Sequence, residues 1–277
     1  MRKLSWVVPL LGLLALPGCG GGSTPNATSS LAAETKARPT TAEPVRLVAF
    51  VGSASKPPAV EAKQRFERAD PGITVDMTFG GSGTLLQQMT LEKTGDIYMP
   101  GSDDYMDKAE AKEAVILGTR AIVAYLVPMI CVQTGNPKGI TGLADLARPG
   151  LTVGLAEAGA VCLGDVSAEI LENAGLLAAV RKNVITHAKS CEQTQQLVQL
   201  GEVDAVIGWD AFQQWAPDRI DVVPIPLEYA RPRTIPVAVS VYSTQRGAAQ
   251  RFIDFLTSAE GKAIFSKHGY SVEPPPG

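Results

Sequence analysis

The period of apolar positions changes repeatedly along the chain, and the changes mark alternating strands and helices. Residues 45–51 form a β-branched run that ends in a loop of small residues, and apolar positions then recur at helical spacing over 59–66. The same order of strand, small-residue loop and helix is predicted at 73–89 and, with a shorter strand, at 96–111. Strands that alternate with helices indicate a mostly parallel sheet flanked by helices, an α/β architecture.

Two longer apolar runs, 121–132 and 234–242, interrupt this alternation. Pro128 lies inside the first run and has no backbone N–H to donate to a neighbouring strand. The chain is therefore predicted to leave one sheet there and to enter another. Further strands are predicted between the runs, at 151–155, 184–186 and 204–208, with helices at 143–147, 164–173 and 191–200. A helix pair at 248–270 would complete the first lobe. We therefore expect lobe 1 at 45–127 and 234–277, with lobe 2 at 128–233 inserted into it.

The N-terminus has the layout of a bacterial export signal. Arg2 and Lys3 precede an apolar run, 4–17, that is too short to span a bilayer, and Gly18-Cys19 follows. Residues 16–19 resemble the lipobox, which implies a signal peptide at 1–18 and a lipid on Cys19; the other interpretation is an ordinary signal peptide with a chance cysteine. Residues 19–44 are rich in Gly, Ser, Thr, Ala and Pro and are predicted to be a disordered tether. The protein is expected in the periplasm or cell envelope, anchored to the membrane by its lipid.

The charge balance argues against one class of partner. The chain has 25 Lys and Arg against 28 Asp and Glu, and basic residues do not cluster with aromatic ones. Nucleic-acid binding is therefore not expected. No second apolar run reaches membrane length.

Two loops of small residues are candidates for a binding site. Residues 52–55 (GSAS) and 80–83 (GGSG) each follow a predicted strand and precede a predicted helix. Backbone amides, a serine hydroxyl and the partial positive charge of a helix N-terminus bind oxyanions without lysine or arginine. The other interpretation is that these residues only cap helices. The residues proposed to face a ligand are Ser53, Ala54, Gly81, Ser82 and Gly83.

Five segments together resemble a known family. They are FVGSAS, TFGGSGTLLQQM, GDIYMPGSDDYMDKA, LVQLGEVDAVIGWDAF and RFIDFLTSAEGKAIFSKHGY. In this order they are similar to the molybdate-type solute-binding proteins of ABC transporters, over nearly all of the chain after the tether. The resemblance implies a two-lobed periplasmic-binding-protein fold of type II, with two crossover strands and the ligand cleft between the lobes. It also implies a monomer without cofactor or enzymatic activity, which delivers molybdate or tungstate to a membrane permease; sulfate and phosphate remain open.

The resemblance also implies site residues. Ser53 and Ser82 match the two serines of the family, and Trp209 stands where the family has a tyrosine. Amides at two helix starts of the second lobe, near Val161-Cys162 and Cys191, would complete the site. Both cysteines replace small or apolar residues of the family, so the identity of the oxyanion stays open.

The cysteines admit two interpretations. Exported proteins normally oxidise a cysteine pair, and Cys162 and Cys191 would begin adjacent helices that face the cleft, so we expect a disulfide between them. Cys131 would then be a buried apolar filler. In the second interpretation all three are free thiolates that bind arsenite or a thiophilic metal, with Met99 or Met129 nearby. No close CxxC or histidine cluster presets a metal geometry.

Other polar residues suggest no catalytic set. Asp210 is predicted to cap a helix, while Asp165 and Glu157 lie near the second-lobe loops, where an ionised carboxylate would repel an anion. His187 and His268 are expected on the surface or in loops. Without a recognisable base, nucleophile and orienting group, the sequence does not predict an enzyme.

Overall fold

The structure is a computed structural model that describes residues 44–275. The predicted signal peptide, Cys19 and the tether as far as residue 43 lie outside the described residues. Within 44–275, no helix has both the length and the apolar character needed to cross a membrane.

Strands and helices alternate over most of the described range. The strands are β1 (Val45–Gly52), β2 (Ile73–Gly80), β3 (Ile97–Met99), β4 (Ala121–Leu126), β5 (Pro128–Gln133), β6 (Val153–Ala156), β7 (Val184–Ala188), β8 (Ala205–Trp209), β9 (Ile220–Pro224) and β10 (Arg233–Val239). The helices are α1 (Lys56–Ala69), α2 (Ser82–Glu92), α3 (Asp103–Ala111), α4 (Cys162–Asn173), α5 (Leu177–Val180), α6 (Cys191–Gln199), α7 (Ala211–Trp215), α8 (Arg246–Thr257) and α9 (Ala259–Lys267). The sequence patterns did not predict β9 or α5, which are five and four residues long, whereas α7 is the helix that Asp210 was predicted to cap.

The described strands form two five-stranded sheets with matching topology. The first has the order β2-β1-β3-β10-β4, and the second has the order β7-β6-β8-β5-β9. In each sheet one strand, β10 or β5, is antiparallel to both of its neighbours, and the other four run in one direction. The expected two-lobed α/β fold with mostly parallel sheets is confirmed.

The C-terminal helices return to the first sheet, as the apolar spacing of 248–270 indicates. Phe66 of α1 packs against Phe252 and Phe255 of α8, with ring centroids 5.0 and 5.6 Å apart. The helix α9 contacts both α1 and β4. These contacts bury the apolar faces of α1, α8 and α9 against each other and against the sheet, which is the main source of stability for such a layer.

The first crossing between the sheets occurs at Pro128, as predicted. The strand β4 ends at Leu126 in the first sheet, and β5 begins at Pro128 in the second. The amide of the intervening Val127 donates to Oδ1 of Asp210 (3.1 Å), and its carbonyl accepts from the amide of Asp210 (2.9 Å). Oδ1 of Asp210 also accepts from the amide of Ala211 (2.9 Å), which confirms the predicted helix cap. The crossing is thereby fastened to the end of β8.

The fastening at Asp210 gives a prediction about pH. Burial raises the pKa of Asp210 to about 6, although the amides of Val127 and Ala211 favour the ionised form. The folded-state pKa lies above the unfolded value near 3.9, so the folded state loses stability as the pH rises from 4 through 6. Asp210→Asn keeps a side-chain oxygen that can accept hydrogen bonds from the amides of Val127 and Ala211, and it removes the charge. We expect the variant to exceed the wild type by about 2 to 3 kcal/mol in free energy of unfolding at pH 7.5, and to match it near pH 4.

Urea unfolding at the two pH values measures this difference. Asp204→Asn is the matched control, because its pKa is shifted the other way. Burial opposes ionisation of Asp204, but hydrogen bonds from Thr152 and the charge of Lys138 outweigh burial and lower its pKa. The control should therefore be less stable than the wild type at pH 7.5. If the two variants lost equal amounts of stability at pH 7.5, the ionised carboxylate of Asp210 would not be destabilising, and the prediction would be wrong.

Candidate functional site

The loops that follow the strands of both sheets meet between the lobes. From the first sheet these are the loops after β1, β2 and β3, and from the second sheet the loops after β6, β7 and β8. Ligands of open parallel sheets bind outside the carboxyl ends of the strands, which is where these loops lie. The residues that make up this cleft come from both loop sets, as the following contacts show.

Two of the predicted serines lie buried in this cleft. Ser53 follows β1, and its Oγ accepts a hydrogen bond from the amide of Cys191 (2.9 Å) in the other lobe. Ser82 begins α2, and its Oγ accepts from the amide of Gly101 (3.0 Å). The two residues are 2% and 1% exposed. A hydroxyl that accepts an amide keeps its own proton for donation, so both serines can still donate to a further group.

Two tyrosines hold these serine loops in place. Tyr98 of β3 donates its hydroxyl to the carbonyl of Ser82 (2.9 Å), and Tyr270 donates to the carbonyl of Ala54. Both tyrosines are buried, and burial raises their pKa well above the ordinary value, so they stay protonated as donors. Neither tyrosine was predicted from the sequence to have a role, although each lies in a segment that carries the family resemblance.

The glycines of the 80–83 loop allow the second lobe to approach closely. A Cβ atom on Gly81 would lie 2.3 Å from the carbonyl oxygen of Ala160, and one on Gly83 would lie 2.1 Å from that of Gly159. The amides of Gly83 and Thr84 donate to the Ala160 carbonyl (3.0 and 3.2 Å). In this structure these amides therefore join the lobes and do not face the cleft, which differs from the expectation that they are presented to a ligand.

Cys162 and Cys191 lie together in the cleft as free thiols. Each is the first residue of its helix, α4 or α6, and each is buried. The side chains of Cys162 and Cys191 interact with each other, which lowers the pKa of Cys162 and raises that of Cys191. The predicted disulfide is wrong for this structure. The fold does bring the two side chains together, but their sulfurs are not joined by a covalent bond.

Two further donors face these sulfurs. The Ser102 hydroxyl lies against Cys162, and the indole N–H of Trp209 lies against Cys191. Both residues are fully buried, and neither donor has a nitrogen or oxygen partner among the described residues. A Cβ on Gly101 would lie 2.9 Å from Sγ of Cys162 and 3.7 Å from Oγ of Ser82, so the absence of a side chain there makes room for the thiol. Trp209 was predicted and Ser102 was missed, although its loop after β3 has the same strand-to-helix position as the other two.

Two predicted residues are not part of this group. The amide of Val161 donates to the carbonyl of Glu157 (2.9 Å) and is used inside its own loop. Cys131 of β5 is fully buried and contacts the carbonyl of Trp209 (3.7 Å), and burial raises the pKa of its thiol. Its predicted role as an apolar filler fits these contacts. Among residues 44–275, no three or more His, Cys, Asp or Glu side chains form a metal-binding group.

Asp165 joins the lobes beside the cleft. Its Oδ2 accepts from the Tyr105 hydroxyl (2.7 Å) and from Nζ of Lys108 (3.1 Å), both on α3, and its Oδ1 accepts from the amide of Gly159 (2.8 Å). Burial raises the pKa of Asp165, but these hydrogen bonds outweigh burial and lower it. Asp165 therefore stays ionised near neutral pH and acts between the lobes, while Glu157 forms an ion pair with Lys189.

A cavity of about 350 Å³ opens next to Ser53, between the lobes. Lys56 of α1 and Glu192 of α6 form an ion pair at its wall (2.9 Å). His268, which was expected on the surface or in a loop, lies at this cavity, with Nε2 2.9 Å from the carboxylate of Glu61. Of the buried serines and thiols described above, Ser53 lines this cavity.

Comparisons with known proteins agree with this arrangement. The family described as bacterial extracellular solute-binding protein matches residues 47–271. The molybdate-binding protein ModA of Mycobacterium bovis is 25% identical over 225 residues, which cover 81% of this chain and 84% of that protein. A sulfate-binding protein of Synechococcus elongatus is 21% identical over 245 residues, covering 78% and 68%.

A solved structure supports the fold in particular. The periplasmic molybdate-binding protein of Azotobacter vinelandii superposes with a TM-score of 0.71 at 16% identity, over 82% of this chain and 99% of that chain. At this identity the likeness concerns the arrangement of the two lobes. Because the family match extends over nearly all of the described residues, the chain belongs to the bacterial extracellular solute-binding proteins, a family that serves transport and not catalysis.

Proposed function

We propose that this protein captures a small tetrahedral oxyanion, with molybdate or tungstate favoured, and delivers it to the permease of an ABC transporter. The observation that carries the proposal is the convergence of Ser53 and Ser82, buried and fixed by amides, opposite the starts of α4 and α6. The molybdate-binding and sulfate-binding relatives support an oxyanion as the class of ligand.

The proposed site uses neutral donors. The hydroxyls of Ser53, Ser82 and Ser102 and the indole N–H of Trp209 lie beside the side chains of Cys162 and Cys191, at the two helix starts. Helix N-termini carry partial positive charge, and donors in a buried site interact strongly with an anion. Without a lysine or arginine in this set, the anion can be released to a permease more readily than from a fully charged site.

Entry of the ligand requires the lobes to separate. The serines and cysteines of the cleft are at most 2% exposed, so an ion cannot reach them while the lobes are in contact. The chain crosses between the sheets at 127 and again between β9 and β10, and these two segments are the places where a hinge would act. A ligand that contacts both lobes would then stabilise the closed arrangement.

The lipid and the tether that the sequence predicts at the N-terminus are compatible with this function. A lipid on Cys19 would hold the protein at the membrane that contains the permease, and the 19–44 tether would let the two lobes reach it. The protein would act there as a monomer.

One prediction of this proposal concerns Ser82. Ser82→Ala removes one donor to the anion, and we expect it to weaken binding of molybdate by at least about tenfold, because a hydrogen bond to a charged group contributes about 1.5 to 3 kcal/mol. Isothermal titration of the reduced protein measures the affinity, and thermal shift with molybdate, tungstate, sulfate and phosphate ranks the ligands.

Ser167→Ala is the matched control for this substitution. Ser167 is also a buried serine, but its hydroxyl donates to the carbonyl of Leu163 within α4 (2.6 Å). Its loss should leave the affinity unchanged. The proposal is wrong if no oxyanion stabilises the protein, or if Ser82→Ala binds as tightly as the wild type.

Another prediction of this proposal concerns closure of the lobes. Tyr105→Phe removes the hydroxyl that α3 donates to Asp165 across the cleft and keeps the ring. Loss of this bond to a charged carboxylate should weaken ligand affinity about tenfold, through faster dissociation from a less stable closed state. Stopped-flow dissociation rates measure the effect, and Tyr125→Phe in β4 is the control. Equal dissociation rates for Tyr105→Phe and the wild type would show that this contact does not hold the lobes closed.

A further inference from the structure

We propose that Cys162 and Cys191 form a dithiol site that captures the hydroxide of a trivalent metalloid, such as arsenous acid, As(OH)₃. The inference rests on the proposed function in one respect, since it uses the same cleft as the ligand site. It adds a class of ligand that is bound through sulfur and not through hydrogen bonds alone.

The position of the two thiols is the first observation. They come from different segments of the second lobe and occupy the first positions of α4 and α6, where both are buried and their side chains interact. The first lobe closes over them, because Gly101 has no side chain that would collide with Sγ of Cys162. A single atom placed between such neighbours can bond to both sulfurs. The site is buried, so a bridged atom would be shielded from water and competing thiols.

The donors around the thiols are the second observation. The indole N–H of Trp209 and the hydroxyl of Ser102 are buried, face the sulfurs and have no nitrogen or oxygen partner in the part of the chain that the structure describes. The hydroxyls of Ser53 and Ser82 lie against the same sulfurs. A bare soft cation would gain nothing from N–H and O–H donors. A species that carries an oxygen as well as an affinity for sulfur would use both sets of groups.

The chemistry balances without a redox partner. As(OH)₃ reacts with two thiols to give (Cys–S)₂As–OH and two molecules of water: two As–O and two S–H bonds break, and two As–S and two O–H bonds form. Arsenic stays trivalent, and the two released hydroxyl groups take up the thiol protons. The remaining As–OH would accept hydrogen bonds from the donors around the site. Helix N-termini favour the thiolate that attacks, which assists the first exchange.

The number of ligands distinguishes this site from a zinc site. Zinc in structural sites takes four protein ligands, usually from Cys and His. Within residues 44–275 no third Cys, His, Asp or Glu joins the pair to make such a group, and Cys131 contacts the carbonyl of Trp209 instead. Two sulfurs and one oxygen are sufficient for trivalent arsenic, whose coordination is pyramidal.

The test uses arsenite, arsenate and molybdate with the protein reduced by a phosphine, because a dithiol reductant would compete for arsenic. In native mass spectrometry, we expect arsenite to increase the mass of the intact protein by the mass of one AsOH group minus the mass of two hydrogen atoms. Arsenate should leave the mass unchanged. Cys162→Ala and Cys191→Ala should each weaken arsenite binding by about 100-fold or more, since the second bond of a bridged ligand forms at high effective concentration. Cys131→Ala is the matched control and should bind as the wild type does.

A further measurement covers the case in which the variants fold poorly. Arsenic X-ray absorption of the loaded wild-type protein should show two As–S bonds and one As–O bond. A different number of sulfurs, or an unchanged mass gain in the Cys162→Ala/Cys191→Ala double variant, would overturn the dithiol site.

Parallel titration with molybdate separates this inference from the proposed function. Molybdate binding without arsenite binding refutes the dithiol site and leaves the oxyanion function intact. Arsenite binding through both cysteines, with no response to any oxyanion, supports the dithiol site and refutes the oxyanion as the ligand.

Discussion

Val127 alone joins β4 of the first sheet to β5 of the second, and Asp210 bonds to both its amide and its carbonyl. Asp210 directly follows Trp209, and Pro128 pairs with Trp209 in the sheet, so the bonds that hold the crossing also hold the indole in the cleft. A partly buried carboxylate performs this task, at the cost of a raised pKa. The geometry of the cleft relative to both sheets depends on this contact.

The polar groups around that crossing fall into two classes, charged groups at the edge of the cleft and neutral groups at its centre. Carboxylates and cations such as Asp165, Lys108, Lys56 and Glu192 bind between the lobes at the edge of the cleft. Neutral hydroxyls, an indole and the thiols occupy its centre, where a permanent charge would be costly to bury. The division places charge where water can still screen it. In the two proposals, an oxyanion would bind to the neutral donors of the centre and trivalent arsenic would bind to its sulfurs.

Features that follow from a local rule were predicted correctly from the sequence, whereas features that depend on the distance between two segments were not. Pro128 predicted the crossing because proline lacks an amide, and Asp210 was recognised as a cap from its position before a helix. The short edge strand β9 gave too weak a periodic signal to be recognised. The disulfide followed from compartment and position, but bond formation requires the two sulfurs to be at bonding distance, which spacing in the chain does not specify.

By itself the sequence determined the order of strands and helices, the two crossings and the loops that carry Ser53 and Ser82, because periodicity, proline chemistry and small residues act over a few positions. Only the tertiary structure decided that Ser102 and Trp209 face two free thiols, that Tyr98 and Tyr270 hold the serine loops, and that the amides of Gly83 and Thr84 join the lobes. These contacts link segments from both lobes, and the packing of the two sheets brings them together.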